Sequence, residues 1–169
     1  DTAGSRELYP FTFNLAARYE LGDSQMTIKL KVTAGKNPGP MPVNLGLHPF
    51  FAAKGRLDVS ASHKIRVTPT GGAGKASPFP ENEEERTART DAPTLQSLIF
   101  ADLAAPEAAV IDDTSRLRFG VAWEKQDPFK YVVVYTRPGE GFYCVEPWMG
   151  LPDAVHSGLG VAWLKAGEV

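Results

Sequence analysis

Hydrophobic and polar residues alternate with a period of two along most of this chain. The stretch QMTIKLKVT, residues 25–33, has methionine, isoleucine, leucine and valine at every second position, as in a strand with one buried face. Residues 10–21 alternate in the same way, and Gly22 with Asp23 between the two runs predicts a hairpin turn. The continuous β-branched and aromatic run KYVVVYT, residues 130–136, is typical of a strand buried on both faces.

Two further runs, residues 116–124 and 141–147, also predict strands. Helical periodicity is weak, and its best candidate, residues 81–90, lacks an apolar stripe, so we interpret it as a solvated acidic face or a loose loop. Residues 70–78 contain glycines and a lysine without the spacing of a phosphate-binding loop, which predicts a flexible surface loop. The pattern therefore predicts an all-β fold, favours a sandwich, and indicates one domain over residues 1–169.

The composition fits a globular domain and excludes several classes of partner. Hydrophobic residues make up 43% of the chain, which is enough for a core. With 18 basic and 20 acidic residues, the net charge of −2 gives no electrostatic reason to expect a nucleic acid or an anionic membrane as partner. A single cysteine excludes an intrachain disulfide, and neither a membrane-spanning run nor a signal peptide is recognisable. We therefore expect a soluble cytoplasmic protein.

His48 and Glu146 combine acid–base chemistry with a fixed position. Each ends a strand-like run and is followed by a proline, which biases the preceding residue toward extended backbone. The nearby rings of Phe50, Phe51 and Trp148 offer flat apolar faces against which the C–H groups of a sugar can pack. On the residues alone, a hydrogen-bonded core histidine and a glutamate at the rim explain the pattern equally well.

The other histidines and the thiol are weaker candidates. His63 lies in a basic stretch whose alternation indicates an exposed strand face, and His156 lies in a glycine-rich loop where ligand contact is the less favoured interpretation. Cys144 has no basic neighbour, so a buried structural thiol is favoured over a nucleophile. A zinc site requires three or four ligands at usable spacing, and the sequence suggests no such set.

Two segments carry a resemblance to a known family. MPVNLGLHPFF, residues 41–51, and YCVEPWMGLPDAVHSG, residues 143–158, resemble motifs of the aldose 1-epimerase (mutarotase) family, particularly its hexose-6-phosphate mutarotase-like branch. The first family motif is roughly Asn-His-Pro-Tyr-Phe and is matched by residues 47–51. The second is Glu-Pro, matched by Glu146 and Pro147, and the two motifs occur in the family's order.

The resemblance implies a twisted antiparallel β-supersandwich of the galactose mutarotase type, incomplete in this chain, that binds an aldose in a shallow cleft. It implies that His48 is the general acid and Glu146 the general base. Glu146 would remove the proton of the C1 hydroxyl while His48 protonates the ring oxygen, and the roles reverse on closure. No metal or redox cofactor is then required. The implied substrate-binding residues are Phe50, Phe51, Trp148 and Asn44.

Three positions depart from the family pattern and keep other functions open. Leu47 replaces the asparagine before the histidine, Phe50 replaces a tyrosine, and Ser97 stands where many members have a substrate-binding aspartate. The leading hypothesis is a mutarotase acting on a hexose or hexose 6-phosphate. The alternatives are a non-catalytic carbohydrate-binding protein of the same fold, or a sandwich domain that serves only protein contacts.

Family members are longer than this chain of 169 residues, and we expect the missing part mainly before Asp1. Truncation would leave unpaired sheet edges, which promote association. The expected partners are therefore a small-molecule sugar or sugar phosphate, and either the missing N-terminal half or a second copy of the chain to complete the sheet.

Overall fold

The computed structural model describes residues 3–87, 89–90, 92, 97–137 and 139–169. The described residues form strands β1 (Phe13–Leu21), β2 (Met26–Ala34), β3 (Met41–Val43), β4 (Phe50–Phe51), β5 (Gly55–Arg66), β6 (Ser77–Pro78), β7 (Leu98–Asp112), β8 (Arg118–Ala122), β9 (Tyr131–Thr136), β10 (Tyr143–Trp148) and β11 (Ala162–Leu164). Three short helices are α1 (Ala3–Leu8), α2 (Glu83–Arg86) and α3 (Ala154–Ser157). No helix in this part of the chain has the length and apolar character needed to cross a membrane.

The chain divides into two compact units. The first comprises Asp1–Val43 and Ala162–Val169, and it contains two separate strand pairs. Strands β1 and β2 are antiparallel, and the Gly22 N–H donates to the carbonyl of Gln25 in the turn between them, which confirms the predicted hairpin. Strands β3 and β11 form the second antiparallel pair.

The second unit, Asn44–Val161, is built on one seven-stranded sheet. Its strands follow the order β4-β10-β9-β7-β5-β6, and β8 pairs with β7. Every pairing is antiparallel, so the predicted all-β class is confirmed. Residues 70–78, predicted to be a loop, end in β6 and thus reach the sheet edge.

Both faces of this sheet bury apolar side chains. Strand β9 shows why, because Val132 and Val134 join one cluster while Val133 joins the cluster on the other face, as its continuous apolar run predicts. The first cluster contains Ala53, Leu57, Leu98, Phe100, Ala108, Val110, Val132, Val134, Tyr143 and Val145. The second contains Ile65, Ile99, Ala101, Val133 and Leu151.

The described residues of the acidic stretch 81–90 are more ordered than predicted. It contains helix α2, and two of its carboxylates, those of Glu81 and Glu85, accept hydrogen bonds from the ammonium group of Lys64. Lys64 lies in β5 and is almost fully buried. A buried ammonium group requires compensating charge, and this requirement, which hydrophobic periodicity does not reveal, orders the stretch.

Candidate active site

Strand β10 carries functional side chains into the sheet interior because its residues alternate between two buried faces. Tyr143 and Val145 belong to the first apolar cluster. Cys144 and Glu146 therefore face the other side, together with Trp148, which packs against the second cluster. A carboxylate is thus held on a rigid, paired strand rather than on a loop.

Pro147 lies within this paired strand without leaving a backbone donor unsatisfied. Its carbonyl accepts the Leu47 N–H at 3.1 Å, on the side of β10 that faces the segment before His48. On the same side, the Met149 N–H donates to the Leu45 carbonyl at 2.9 Å. Because this arrangement requires only the carbonyl of residue 147, proline is tolerated there and stiffens the strand next to Glu146.

Gly46 permits the close approach that positions Trp148. The two residues form an isolated antiparallel bridge, and a Cβ atom on Gly46 would lie 2.8 Å from Cδ1 of the indole. Only glycine leaves room for the ring to lie against the backbone here. The indole Nε1–H then donates to Oε2 of Glu146 at 3.1 Å, which fixes the orientation of the carboxylate.

His48 and Glu146 meet directly. Nε2 of His48 lies 3.3 Å from Oε1 of Glu146. The glutamate side chain is 2% exposed and the histidine side chain 53% exposed, so the carboxylate forms the floor of the site and the imidazole its rim. The Phe50 ring stacks on the imidazole, with a centroid distance of 4.9 Å and an interplanar angle of 14°, and limits its rotation.

Burial controls the proton affinity of Glu146. Removal of the carboxylate from water raises the pKa of Glu146, while the nearby His48 and the hydrogen bond from Trp148 lower it to a smaller extent. The net shift is upward, so this carboxylate is a stronger base than an exposed glutamate. A raised pKa beside a histidine is a recurring property of general acid–base sites.

A cavity of about 310 Å³ opens in front of the pair. This volume lies at the lower end of the range for small-molecule sites, which suits a ligand of monosaccharide size. The side-chain oxygen of Asn44 accepts the Gly150 N–H at 3.1 Å, which anchors one wall. The lining residues are Asn44, Leu45, Gly46, Leu47, His48, Glu146 and Trp148.

The structure brings together four of the six residues singled out in the sequence, because His48, Glu146, Trp148 and Asn44 all line the cavity. Phe50 lies at its edge, against the imidazole. Phe51 lies elsewhere: its ring stacks on Tyr143 at 5.3 Å in the first apolar cluster. Adjacent residues of a strand point to opposite faces, so Phe50 and Phe51 could not both face the cavity.

Cys144 is the residue near the site that the sequence interpretation left unused. It is fully buried, as predicted, and burial raises the pKa of its thiol to about 11, with the charge of Glu146 as a further cause. Each of Cys144, His48 and Glu146 offers one potential ligand atom, and these three atoms lie within 4.8 Å of one another. The fold thus brings together three potential ligand atoms that the sequence interpretation did not group. The i, i+2 spacing of Cys144 and Glu146 places them on one strand face and was the available signal.

The other polar candidates lie outside this cavity. Nδ1 of His63 is 2.7 Å from Oδ2 of Asp102, and Nδ1 of His156 pairs with the carboxylate of Asp153. The ammonium group of Lys64 contacts its two glutamates, Glu81 and Glu85.

A sequence model of the aldose 1-epimerase family matches residues 1–169. The chain belongs to the aldose 1-epimerase family. The family assignment agrees with the resemblance carried by the His48 and Glu146 motifs. None of the proteins with curated functions matches the chain significantly in sequence.

Three solved structures share the fold of this aldose 1-epimerase family member. The Slr1438 protein of Synechocystis superposes with a TM-score of 0.78 at 22% identity, over 99% of this chain and 55% of that one. A galactose mutarotase-like protein of Lactobacillus casei gives 0.74 at 22% identity, over 99% of this chain and 63% of that one. A candidate aldose 1-epimerase of Escherichia coli gives 0.74 at 20% identity, over 94% and 57%. The predicted galactose mutarotase-like fold is therefore confirmed, and the chain spans roughly three fifths of the length of these proteins.

Proposed function

We propose that this protein is a mutarotase, which interconverts the α and β anomers of a hexose or hexose 6-phosphate. The observation that carries the proposal is the contact between Nε2 of His48 and Oε1 of Glu146, which lie 3.3 Å apart and both line the same cavity. Membership of the aldose 1-epimerase family supports the reaction class.

The reaction requires an acid and a base close together. The C1 hydroxyl and the ring oxygen of a cyclic aldose are bonded to the same carbon, so the groups that act on them must be neighbours. Glu146 takes the hydroxyl proton, His48 delivers a proton to the ring oxygen, and the bond between C1 and the ring oxygen breaks to give the open-chain aldehyde. After rotation about C1–C2 the roles reverse, and the ring closes as the other anomer.

The environments of the two groups suit these roles. The carboxylate of Glu146 is desolvated, which strengthens it as a base, and Trp148 holds it in place through Oε2. The imidazole of His48 is half exposed, so it can reach a sugar in the cavity and exchange its proton with solvent. The face of Phe50 and the indole of Trp148 are the proposed apolar contacts of the sugar ring, and Asn44 is a proposed polar contact.

A second cavity keeps hexose 6-phosphate among the proposed substrates. It has a volume of about 140 Å³, and its walls include the cationic side chains of Lys54 and Arg137. Phe142 also lines it, and its ring lies 5.3 Å from that of Phe50, which stacks on His48. Lysine and arginine side chains bind phosphate, so we propose that the phosphate of a hexose 6-phosphate would bind at this second cavity.

Anomer exchange measured by NMR tests the proposal. The protein at its natural full length is mixed with glucose, galactose or glucose 6-phosphate, and the exchange rate is compared with the spontaneous rate in the same buffer. His48→Ala should reduce the rate to background and leave weak sugar binding. The matched control His156→Ala removes an exposed histidine outside the cavity and should keep the wild-type rate. A folded wild-type protein with no excess exchange on any sugar would rule the mutarotase out.

The second candidate is a non-catalytic carbohydrate-binding protein of the same family. Ser97, which stands where many members have an aspartate, and Leu47 favour it. In this case sugar binding persists while exchange stays at background in the wild type and in His48→Ala alike. For either function we propose the reducing cytoplasm as the compartment, because the single cysteine is a free thiol.

A further inference from the structure

We propose that His48, Cys144 and Glu146 form a binding site for Zn²⁺, and that zinc bound there blocks the acid–base pair. The three residues offer one imidazole nitrogen, one sulfur and one carboxylate oxygen, all within 4.8 Å of one another. The inhibition rests on the proposed function, whereas metal binding itself does not.

The distances are close to those of a tetrahedral zinc centre. With Zn–N and Zn–O bonds of about 2.0–2.2 Å, the two ligand atoms lie about 3.4 Å apart. Nε2 of His48 and Oε1 of Glu146 are already 3.3 Å apart. A Zn–S bond of about 2.3 Å needs the sulfur at about 3.6 Å from each of them. The sulfur of Cys144 lies within 4.8 Å of both atoms, so each of these two distances must shorten by at most about 1.2 Å.

The donor set selects zinc over the hard cations. Thiolate and imidazole suit Zn²⁺, whereas Mg²⁺ and Ca²⁺ prefer shells made only of oxygen ligands. Three protein ligands leave a fourth tetrahedral position, and the cavity in front of His48 and Glu146 can supply a water molecule to it.

The surroundings of the three ligands are already ordered. Cys144 and Glu146 lie on one face of β10, which is paired with β9 along its whole length. The Trp148 Nε1–H donates to Oε2 of Glu146 and leaves Oε1 to face His48. Such outer hydrogen bonds orient carboxylate ligands in zinc proteins.

Charge compensation supplies a reason for the cation to bind. Glu146 and Cys144 are both fully buried and lie on the same face of β10. A divalent cation between them would balance one carboxylate and one thiolate. The thiol loses its proton to solvent on binding, so zinc affinity should increase with pH.

The consequence for the proposed reaction is inhibition. Zinc would occupy the lone pairs of His48 and Glu146 that are needed to transfer protons to and from the sugar. The site would then respond to the concentration of free zinc, with Cys144 as the residue that makes it selective for a thiophilic metal.

Cobalt(II) titration of the metal-free, full-length protein tests the binding directly. Co²⁺ replaces Zn²⁺ in tetrahedral sites, and a cobalt–thiolate bond gives a charge-transfer absorption in the near ultraviolet that imidazole and carboxylate ligands do not give. One equivalent of Co²⁺ should produce this band, and Zn²⁺ should abolish it. Cys144→Ser should remove the band. The control His63→Ala, an exposed histidine paired with Asp102, should retain it. A wild-type protein without the band overturns the proposal.

Zinc inhibition of anomer exchange is the second measurement. Each variant is compared with its own zinc-free rate, and EDTA should restore the rate that Zn²⁺ removes. Loss of an outer-shell partner alone weakens zinc binding by about 10–100-fold, so Cys144→Ser should need at least tenfold more Zn²⁺ for half inhibition. Equal zinc sensitivity in Cys144→Ser and wild type would exclude the thiolate ligand. If the protein catalyses no exchange, the cobalt band still decides whether the metal binds.

Discussion

The same sheet buries two charged groups, Lys64 and Glu146, and their charges are compensated to different extents. Lys64 on β5 is 4% exposed and contacts the carboxylates of Glu81 and Glu85. Glu146 on β10 is 2% exposed and contacts one imidazole and one indole N–H. The first group is compensated by two full charges, whereas the second faces one half-exposed histidine.

The pKa shifts express this difference. Burial acts to lower the pKa of Lys64 and to raise that of Glu85, but their hydrogen bonds and mutual attraction outweigh burial, and each stays charged over a wider pH range. At Glu146 burial outweighs His48 and Trp148, and the pKa rises. A buried charge that is fully paired keeps its charged form, whereas the pKa of an incompletely paired one shifts toward the neutral form, as is common for general acids and bases.

Glu146→Gln should produce the largest effect and separates the two sites. The exchange rate should fall by about 10²–10⁴-fold, because the general base is lost. The free energy of unfolding should stay the same or rise slightly, because an incompletely paired buried carboxylate is replaced by a neutral amide of the same shape. NMR exchange and urea unfolding measure the two quantities. Wild-type exchange in this variant would remove Glu146 from the mechanism.

Lys64→Met should have the reverse effect: it should lower the free energy of unfolding and leave the exchange rate unchanged. It leaves Glu85 without its cation, and breaking a buried ion pair costs about 3–5 kcal/mol. Because the side chain of Glu81 is 45% exposed and can turn to solvent, we expect a loss near the lower limit, about 3 kcal/mol. The zinc-free exchange rate of the folded variant should match wild type. An unchanged urea midpoint would mean that the Lys64 cluster does not stabilise the sheet.

The two charged sites also differ in how far the sequence predicted them. The His48 and Glu146 motifs were recognisable because prolines and aromatic residues surround them. The continuous apolar run of residues 130–136 correctly predicted that β9 is buried on both faces. The Lys64 cluster was missed because β5 and residues 81–90 are joined by ion pairs, and local periodicity does not report pairing between distant segments. The same limit explains why the proximity of Cys144 to His48 was missed, since it arises only when β4 pairs with β10 at Phe50 and Cys144.

Trp148→Phe should slow anomer exchange less than Glu146→Gln does. It removes the indole N–H that holds Oε2 of Glu146 and lowers the pKa of that carboxylate. A hydrogen bond to a charged group contributes about 1.5–3 kcal/mol, and water in the open cavity replaces part of it, so we expect about a tenfold slower exchange at neutral pH. The acid limb of the rate profile should move to higher pH. A slower rate without this movement would assign Trp148 to sugar packing alone.

The smallest expected effect is a difference between the pH at which anomer exchange falls and the pH at which stability falls. The folded-state pKa of Glu85 is lowered, so its stabilisation is present above the unfolded value near 4.5 and is lost only as pH falls below it. The pKa of Glu146 is raised above 4.5, so the base is already protonated in part at a pH where Glu85 remains charged. On acidification from pH 7, exchange should therefore fall before the urea midpoint does. Glu85→Gln should weaken the pH dependence of the midpoint and leave the acid limb of exchange in place. Coincident loss of exchange and stability would show that both report the same unfolding event, and would remove the proposed distinction between the two buried charges.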